Sequence, residues 1–545
     1  MRQIDRLTVE NFQTPSLLLM EAAAEATLLA IASHFSGKLA NKKARILCGP
    51  GNNGGDGAGL ARALVRLGVQ TDLILFGKIA ETKGDARSNF EMVSSLASFD
   101  EGSSVRSLPL SFLECATVSQ WEEIARTRKT YDIIVDALFG TGLKRPLEGV
   151  FLQVIRYLAL IRGTRSRSSR PLIVSVDIPS GLDADSAHPI GEAVQADLTV
   201  TFTAPKLANV LPPASHLCGK LVVANIGSPS SLIEAAQSKL FVTEEDDVRE
   251  WLVSTRYTKD SYKNTHGHVL VIAGSRGYTG AAVLCGNAAL RSGAGLVTIA
   301  TPASAQSSVA VSTMPEVMTV ALAETDRGAA SDQAVDHVMQ LAAKATIVAI
   351  GPGLTAEDER TRRFVRAVVE RRTTPVVIDA DGLNCLAPWP SNLRGSKELP
   401  LILTPHLGEM LRLMGATNKA EVMDRVNAAR EFATKHEVIL VLKGSRSLVA
   451  SDDLVFVNPT GNAGLGTAGA GDTLTGIIAG FAAQARATLV ESASVLSATI
   501  AALYVGGLAG DLAAKEMGMR TMVASNIRDH ISAAVRQLDS EGELP

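Results

Sequence analysis

The chain has 545 residues, 46% hydrophobic, 20% charged and 4% aromatic, with a formal net charge of −3. That length exceeds one ordinary core, so two or more domains are expected. Charges of both signs are interspersed, which excludes a basic nucleic-acid face, and abundant Ala, Val and Gly suit α/β layers.

The N-terminal stretch "MRQIDRLTVENFQTPS" lacks the apolar core of a secretory signal. Cys48, Cys115, Cys218, Cys285 and Cys385 lack C-x-x-C spacing and read as buried free thiols in a reducing cytoplasm. Between Arg45 and Ile226, strand candidates alternate with helical segments: "ARIL", "TDLILF", "DIIVDALFG", "PLIVSVDIPSG", "ADLTVTF" and "KLVVANIG". Near-continuous Val, Ile and Leu content predicts a mostly parallel sheet buried on both faces. The pattern restarts after a seam at 235 to 245, which predicts domains over 1–235 and 245–545. The second half offers "HVLVIAGS", "GLVTIATP", "ATIVAIGPG", "PVVIDADGLN", "PLILTPH" and "VILVLKGS", then an alanine-rich helical end.

The first glycine turn, "CGPGNNGGDGAG" (Cys48 to Gly59), lies between a strand and the amphipathic "LARALVRLG". Gly49, Gly51 and Gly54 satisfy GxGxxG, a weak signal alone. Asp72 lies near the distance expected of a ribose ligand but begins a strand, so ribose recognition is not expected of it. No GK[ST] follows, which excludes a Walker A loop. Oxygens of Asn52, Asn53 and Asp56 suit a hard cation or a sugar hydroxyl better than an anion; a plain flexible turn is the competing reading.

In "VDALFGTGLKRP", Asp136 ends a strand, and the loop Gly140 to Pro146 carries Lys144 and Arg145, which could close on phosphates. In "SVDIPSGLDAD", Asp177 and Ser180 end another strand. Asn53, Asp136 and Ser180 can converge as an oxygen-only cation site, though each acidic residue can equally be a cap or turn former.

"LLLMEAAAEA", "GPGNNGGDG", "DALFGTGLKRPLEG", "VDIPSGLDAD" and "FTAPK" together resemble the NAD(P)HX epimerase family over residues 1–235. The resemblance implies a Rossmann-like three-layer domain that binds hydrated nicotinamide dinucleotide and K+. By position it assigns substrate contacts to Asn52, Asn53, Gly54, Gly55, Asp56, Gly140, Thr141, Gly142, Leu143, Lys144, Arg145, Pro146 and Asp177. It assigns K+ to Asn53, Asp136 and Ser180. The sequence departs from the family at Ala22, where asparagine is usual, and at Asn225, where aspartate is.

The second glycine turn lies in "NAGLGTAGAGDTLTGIIAGF". Gly469 and Gly471 flank Ala470 just before a helix, whose first N–H groups make an anion hole. Asp472 could take a proton from an attacking hydroxyl; a helix N-cap is the competing reading. "LTGIIAGFAAQARATLV" is broken by Gln484 and Arg486 and reads as a buried helix rather than a membrane span. Asp379 and Asp381 in "DADGLN" are either metal-linked or turn formers.

"KNTHGHVLVIAGSRGYTGAAVL", "ALRSGAGLVTIATP", "MPEVM", "IGPGL", "VIDADGLN", "LTPHLGEM" and "LVLKGS" are together similar to the ADP- or ATP-dependent NAD(P)HX dehydratases over about 245–545. That family implies a ribokinase-like fold. It assigns substrate contacts to Ala281, Gly353, His406 and Asp472, and the nucleotide to Lys443, Gly444, Ser445, Arg446, Ser447 and Gly471. His406 alone would read as a structural hydrogen-bonder. "AGAGD", closer to sugar and vitamin kinases, stands where the dehydratases often have "GGSGD".

The two resemblances imply one purpose: epimerising R- and S-NADHX or NADPHX, then dehydrating the S form with ADP or ATP, Mg²⁺ bridging the nucleotide phosphates. A cytoplasmic homo-oligomer without nucleic-acid or membrane partners is expected. The alternative is a ribokinase-like small-molecule kinase with a non-catalytic Rossmann-like binding domain.

Overall fold

Runs of Val, Ile and Leu become strands where helices can cover both faces of the sheet they build. The computed structural model describes residues 2–98, 109–127, 129–164, 170–488 and 494–539. The chain separates into two units, Met1–Ser238 and Lys239–Pro545.

The first unit holds seven parallel strands: β1 (Lys43–Cys48), β2 (Gln70–Leu75), β3 (Leu110–Glu114), β4 (Ile133–Ala137), β5 (Leu172–Val176), β6 (Leu198–Phe202) and β7 (Lys220–Ala224). Their order is β3-β2-β1-β4-β5-β6-β7. Successive residues serve opposite faces: Ile46 and Cys48 join a core with helices Ser16–His34 and Asn52–Arg66, while Leu47 joins one with helices Val118–Arg126 and Gly149–Thr164. That makes three layers, with a topological switch point between β1 and β4, where open α/β sheets take ligands. The edge strand β3 is an addition to the sequence reading; its pattern is only half buried.

The second unit builds a ten-stranded sheet: β8 (Leu240–Val242), β9 (His268–Ile272), β10 (Leu296–Pro302), β11 (Met318–Leu322), β12 (Ile347–Ile350), β13 (Val376–Ile378), β14 (Leu401–Leu403), β15 (Ile439–Leu442), β16 (Leu448–Ser451) and β17 (Leu454–Val457). The order is β11-β10-β9-β12-β13-β14-β15-β16-β17-β8, antiparallel only at β15–β16 and β16–β17. β8 lies inside the seam window of 235 to 245 and already pairs with β17. β8, β11, β16 and β17 are short or partly exposed and escaped the sequence reading.

Helix Ala470–Thr488 is the core helix of this unit, buried from Thr475 to Ala485. It crosses helix Thr279–Arg291 so closely that a Cβ on Gly476 would sit 2.1 Å from the Cys285 carbonyl oxygen. Gln484, which interrupts its apolar run, donates through Nε2 to Ser292 O (2.8 Å) and Gly480 O (3.0 Å). The last two residues of that run, 489 and 490, lie outside the described residues. By length and composition, helices Ser16–His34 and Val495–Met517 could cross a membrane. The first packs on helix Asn52–Arg66, and the second lies mostly buried against Ala470–Thr488 and Ala524–Leu538. All five cysteines are free and buried.

Phe481 is 1% exposed and stacks on Trp251 with centroids 4.4 Å apart. Phe481→Ala is expected to cost about 3–5 kcal/mol, a cavity penalty, read as a lower unfolding midpoint of the second unit; a loss under about 1 kcal/mol would place this stack outside the core.

Candidate functional site

In the first unit, β1 runs through Gly49–Gly51 into helix Asn52–Arg66. Several glycines of this turn are there for packing. A Cβ on Gly54 would lie 1.8 Å from Gly49 O, and one on Gly57 2.7 Å from the Ala137 side chain. The helix can therefore press its first turns onto β1 and β4, leaving Asn53 and Asp56 beside the strand ends.

Three segments meet over Gly140, where an added Cβ would come within 3.1 Å of both Asn53 Oδ1 and Asp177 Oδ2. Asp177 follows β5 with φ +66, a conformation costing about 1–3 kcal/mol outside glycine. Hydrogen bonds hold it there: its N–H donates to Val200 O (2.7 Å), and Oδ1 accepts from Lys206 Nζ (2.6 Å) and Thr201 Oγ1 (3.1 Å). Lys206, which sequence reasoning quoted in "FTAPK" without a role, also donates to Thr201 Oγ1 and Phe202 O and is buried. The signal that could have found it is a lone lysine ending an apolar strand.

Asp136, in β4, is fully buried and accepts from Ser180 Oγ (2.6 Å), Ser175 Oγ (2.8 Å), Ser180 N (2.9 Å) and Leu138 N (3.3 Å). Burial pushes its pKa up against those bonds. Asp136 and Ser180 are thus in contact; Asn53 is not hydrogen-bonded to either. Asn53 Nδ2 is buried without a partner. The donor set of Asn53, Asp136 and Ser180 is all oxygen, which fits a hard cation of low charge.

In the loop from Gly140 to Pro146, Lys144 pairs with Asp183 Oδ1 (2.7 Å) and Asp185 Oδ2 (2.6 Å). Leu143 turns its side chain into the core, and Arg145 is exposed. Asp72 is locked in a network with Ser111, Tyr131, Lys129 and Arg45.

In the second unit, Gly353 (φ +65) meets Ala281: a Cβ on the glycine would lie 3.0 Å from Ala281 Cβ. Ser275 Oγ donates to Gly353 O at 2.8 Å. Next to this, Asp379 follows β13 and Lys443 follows β15, and the two pair at 2.7 Å with Asp379 1% exposed. Thr475 Oγ1 donates to the other Asp379 oxygen (2.7 Å). Glu409 Oε2 lies 3.8 Å from Lys443 Nζ. Burial would push Lys443 down, but Asp379 and Glu409 carry its pKa up; burial would push Asp379 up, but Lys443 brings it down.

Asp472 is the third residue of helix Ala470–Thr488, inside its first turn rather than at the N-cap position before it. Gly469 (φ +81) lets the chain enter this turn under Leu284. A Cβ on Gly471 would lie 3.5 Å from Lys443 Nζ and 3.7 Å from Asp379 Oδ2, so the turn sits directly over the ion pair. Burial, then Asp379, push the Asp472 pKa up to about 6, with Lys443 opposing.

His406 is the N-cap of helix Leu407–Met414: Nδ1 accepts from Gly408 N (2.9 Å) and Glu409 N (3.3 Å). Its structural role is therefore filled, while the ring stays exposed, with Nε2 3.5 Å from Glu409 Oε1. Lys443 to Ser447 turn from β15 into β16. Ser447 Oγ is folded back on Gly444 O (3.0 Å), Arg446 donates to Pro459 O, and Arg425, which sequence reasoning missed, clamps Ser445 O (2.8 Å). Asp381 accepts from Thr355 N and Asn384 Nδ2, which is turn chemistry. Among the described residues no group of three or more His, Cys, Asp or Glu could hold a metal.

Asp56 makes no hydrogen bond among the described residues. Burial, then Asp177 and Asp5, push its pKa well above 3.8, with Lys206 opposing. The native state thus holds this proton more tightly than the unfolded chain. Its stabilising contribution is complete below the unfolded carboxyl range and fades as pH rises toward the raised native value. Asp56→Asn should remove that loss: the variant's thermal midpoint should gain on the parent steadily as pH rises above about 4. Parallel pH curves would place the proton elsewhere.

A family model described as NAD(P)H-hydrate dehydratase matches residues 269–533, and one described as YjeF-related protein N-terminus matches 16–208. The bifunctional NAD(P)H-hydrate repair enzyme of Moorella thermoacetica is 39% identical over 100% of this chain and 97% of its own length. That of Escherichia coli is 31% identical over 88% of this chain and 83% of its own. The solved ADP/ATP-dependent NAD(P)H-hydrate dehydratase of Bacillus subtilis, co-crystallised with ATP and Mg²⁺, is 29% identical, covers 55% of this chain and 98% of its own, and has a TM-score of 0.45. The expected pairing of a Rossmann-like and a ribokinase-like unit is borne out, and these relatives favour it over the kinase alternative. The chain belongs to the family of bifunctional NAD(P)H-hydrate repair enzymes.

Proposed function

We propose that this chain repairs nicotinamide coenzymes hydrated at C6 of the dihydropyridine ring: the first unit interconverts R and S hydrates, and the second dehydrates the S form at the expense of ADP or ATP. The observation that carries the reading is Asp472, a carboxyl raised to about 6 in the first turn of helix Ala470–Thr488, next to the buried Lys443–Asp379 pair.

Hydroxide is a poor leaving group, so the C6 hydroxyl is first made into a phosphate ester. Asp472 accepts the hydroxyl proton as the oxygen attacks the nucleotide's terminal phosphoryl, whose bond to the bridging oxygen breaks to release AMP from ADP or ADP from ATP. The N–H groups of the turn at Gly469–Gly471 and the ammonium of Lys443 meet the charge that develops. The ring nitrogen lone pair then expels phosphate from C6, and loss of a C5 proton restores the C5–C6 double bond. Ala281, Gly353 and His406 hold the hydrated ring, and the Lys443–Ser447 turn holds the nucleotide. Magnesium carried on the nucleotide's phosphates would neutralise them.

In the first unit, Asn52–Asp56, the Gly140–Pro146 loop and Asp177 surround the hydrated ring. Asp56 and Asp177, the latter held by Lys206, are the carboxyls placed to move its protons. Potassium on the oxygens of Asn53, Asp136 and Ser180 would fix substrate oxygens by charge.

The test is full-length protein with mixed R/S hydrate, ADP or ATP, Mg²⁺ and K+, followed at the reduced-nicotinamide absorbance. Dehydration should rise with pH through about 6, because the base must lose its proton first. Asp472→Asn should abolish it, at least about a thousandfold, and Asp136→Ala should spare the S half while slowing consumption of R. Stable phosphorylation of a different small molecule, with the hydrate untouched, would overturn the reading.

A further inference from the structure

Beside Gly353 the second unit opens a cavity of about 850 Å³, reached past Ser275 and Tyr278. The Tyr278 carbonyl lies 3.0 Å from where a Gly353 Cβ would stand, so the cavity continues directly from the assigned position of the hydrated ring. Four arginines line it: Arg276, Arg327, Arg362 and Arg412. Guanidinium forks match phosphate oxygens, and four around one cavity describe a receptor for a polyanion.

The arginines are held without being neutralised. Arg362 donates to the Ala356 (2.7 Å) and Asn384 (3.4 Å) carbonyls, and Arg412 to Asn384 Oδ1 (3.0 Å). Only Arg276 faces a carboxylate, Glu324 at 3.5 Å. Arg327 has no hydrogen-bond or ion-pair partner among the described residues. Three acids share the wall, Glu357, Asp358 and Asp381; Asp358 caps the helix Glu359–Glu370 and Asp381 accepts from Thr355 N, so backbone N–H groups turn these two carboxylates away from the guanidiniums without removing their charge. None of Lys443 to Ser447 lines the cavity, so it is separate from the turn assigned to the nucleotide.

We propose that this cavity takes the phosphates of the hydrated coenzyme, its diphosphate bridge lying against Arg362 and Arg412, and that Arg327 reads the 2′-phosphate that separates NADPHX from NADHX. The proposal rests on the dehydratase reading for its substrate. A volume of this size suits the adenosine arm of a dinucleotide, and a partnerless guanidinium is what a doubly charged terminal phosphate would order.

NADP+ and NAD+ carry the same phosphates without the hydrated ring, so their binding to the full chain by calorimetry tests the cavity independently of turnover. The first unit is unchanged in every variant, so differences report the second. Arg327→Ala should weaken NADP+ at least about tenfold and NAD+ by less than about twofold, while Arg412→Ala should weaken both about tenfold. With S-NADPHX and S-NADHX, the same factors should appear in KM rather than kcat. Unchanged NADP+ binding in Arg327→Ala, or equal loss of both ligands, would overturn the proposal. Failure of the parent to consume either hydrate would instead overturn the dehydratase reading and leave the binding result standing.

Discussion

Both sites depend on backbone brought closer to backbone than side chains would allow. Helix Asn52–Arg66 reaches the ends of β1 and β4 because Gly54 and Gly57 leave no Cβ in the way. Helix Ala470–Thr488 reaches helix Thr279–Arg291 because Gly476 presents its Cα to the Cys285 carbonyl. Close packing of this kind resists any added methyl. It brings each helix start, with its free N–H groups, to the carboxyl ends of parallel strands, where the polar side chains also emerge.

On that scaffold the two units arrive at related electrostatics. Each buries a lysine–aspartate pair at strand ends, Lys206–Asp177 at 2.6 Å and Lys443–Asp379 at 2.7 Å. Each sets a further carboxyl nearby, Asp56 or Asp472, whose pKa burial and the neighbouring aspartates raise. The lysine compensates one carboxylate, and the second carboxyl is left to hold its proton more tightly. In the second unit the two acids are driven apart, Asp379 down and Asp472 up, the ordinary equipment of proton transfer near neutral pH. Removing either lysine would leave a buried carboxylate uncompensated, which costs about 3–5 kcal/mol in such settings.

Parallel strands buried on both faces advertise themselves as Val-, Ile- and Leu-rich runs, so β1, β2 and β4 to β6 were legible, as were β9, β10 and β12 to β15; the edge strand β7 was legible too, although only partly covered. β3, β8, β11 and β17, also only partly covered, were not, nor was β16, four residues in an antiparallel meander. Single positions acquire partners that no local pattern announces. Lys144 pairs with Asp183 and Asp185, some forty residues away. Asp72, of which no ribose contact was expected, is enclosed by Tyr131 and Lys129.

The sequence by itself determined the class of fold and the family, because periodicity and turn chemistry are local and the motifs are contiguous. Only the tertiary structure decided which charges are spent and which stay available: Lys206 on Asp177, Lys443 on Asp379, Arg327 on none of the described residues. The reason is physical. A side chain's protonation and its freedom to meet a ligand are set by burial and by partners that the fold brings from distant parts of the chain, and neither is written in the neighbouring letters.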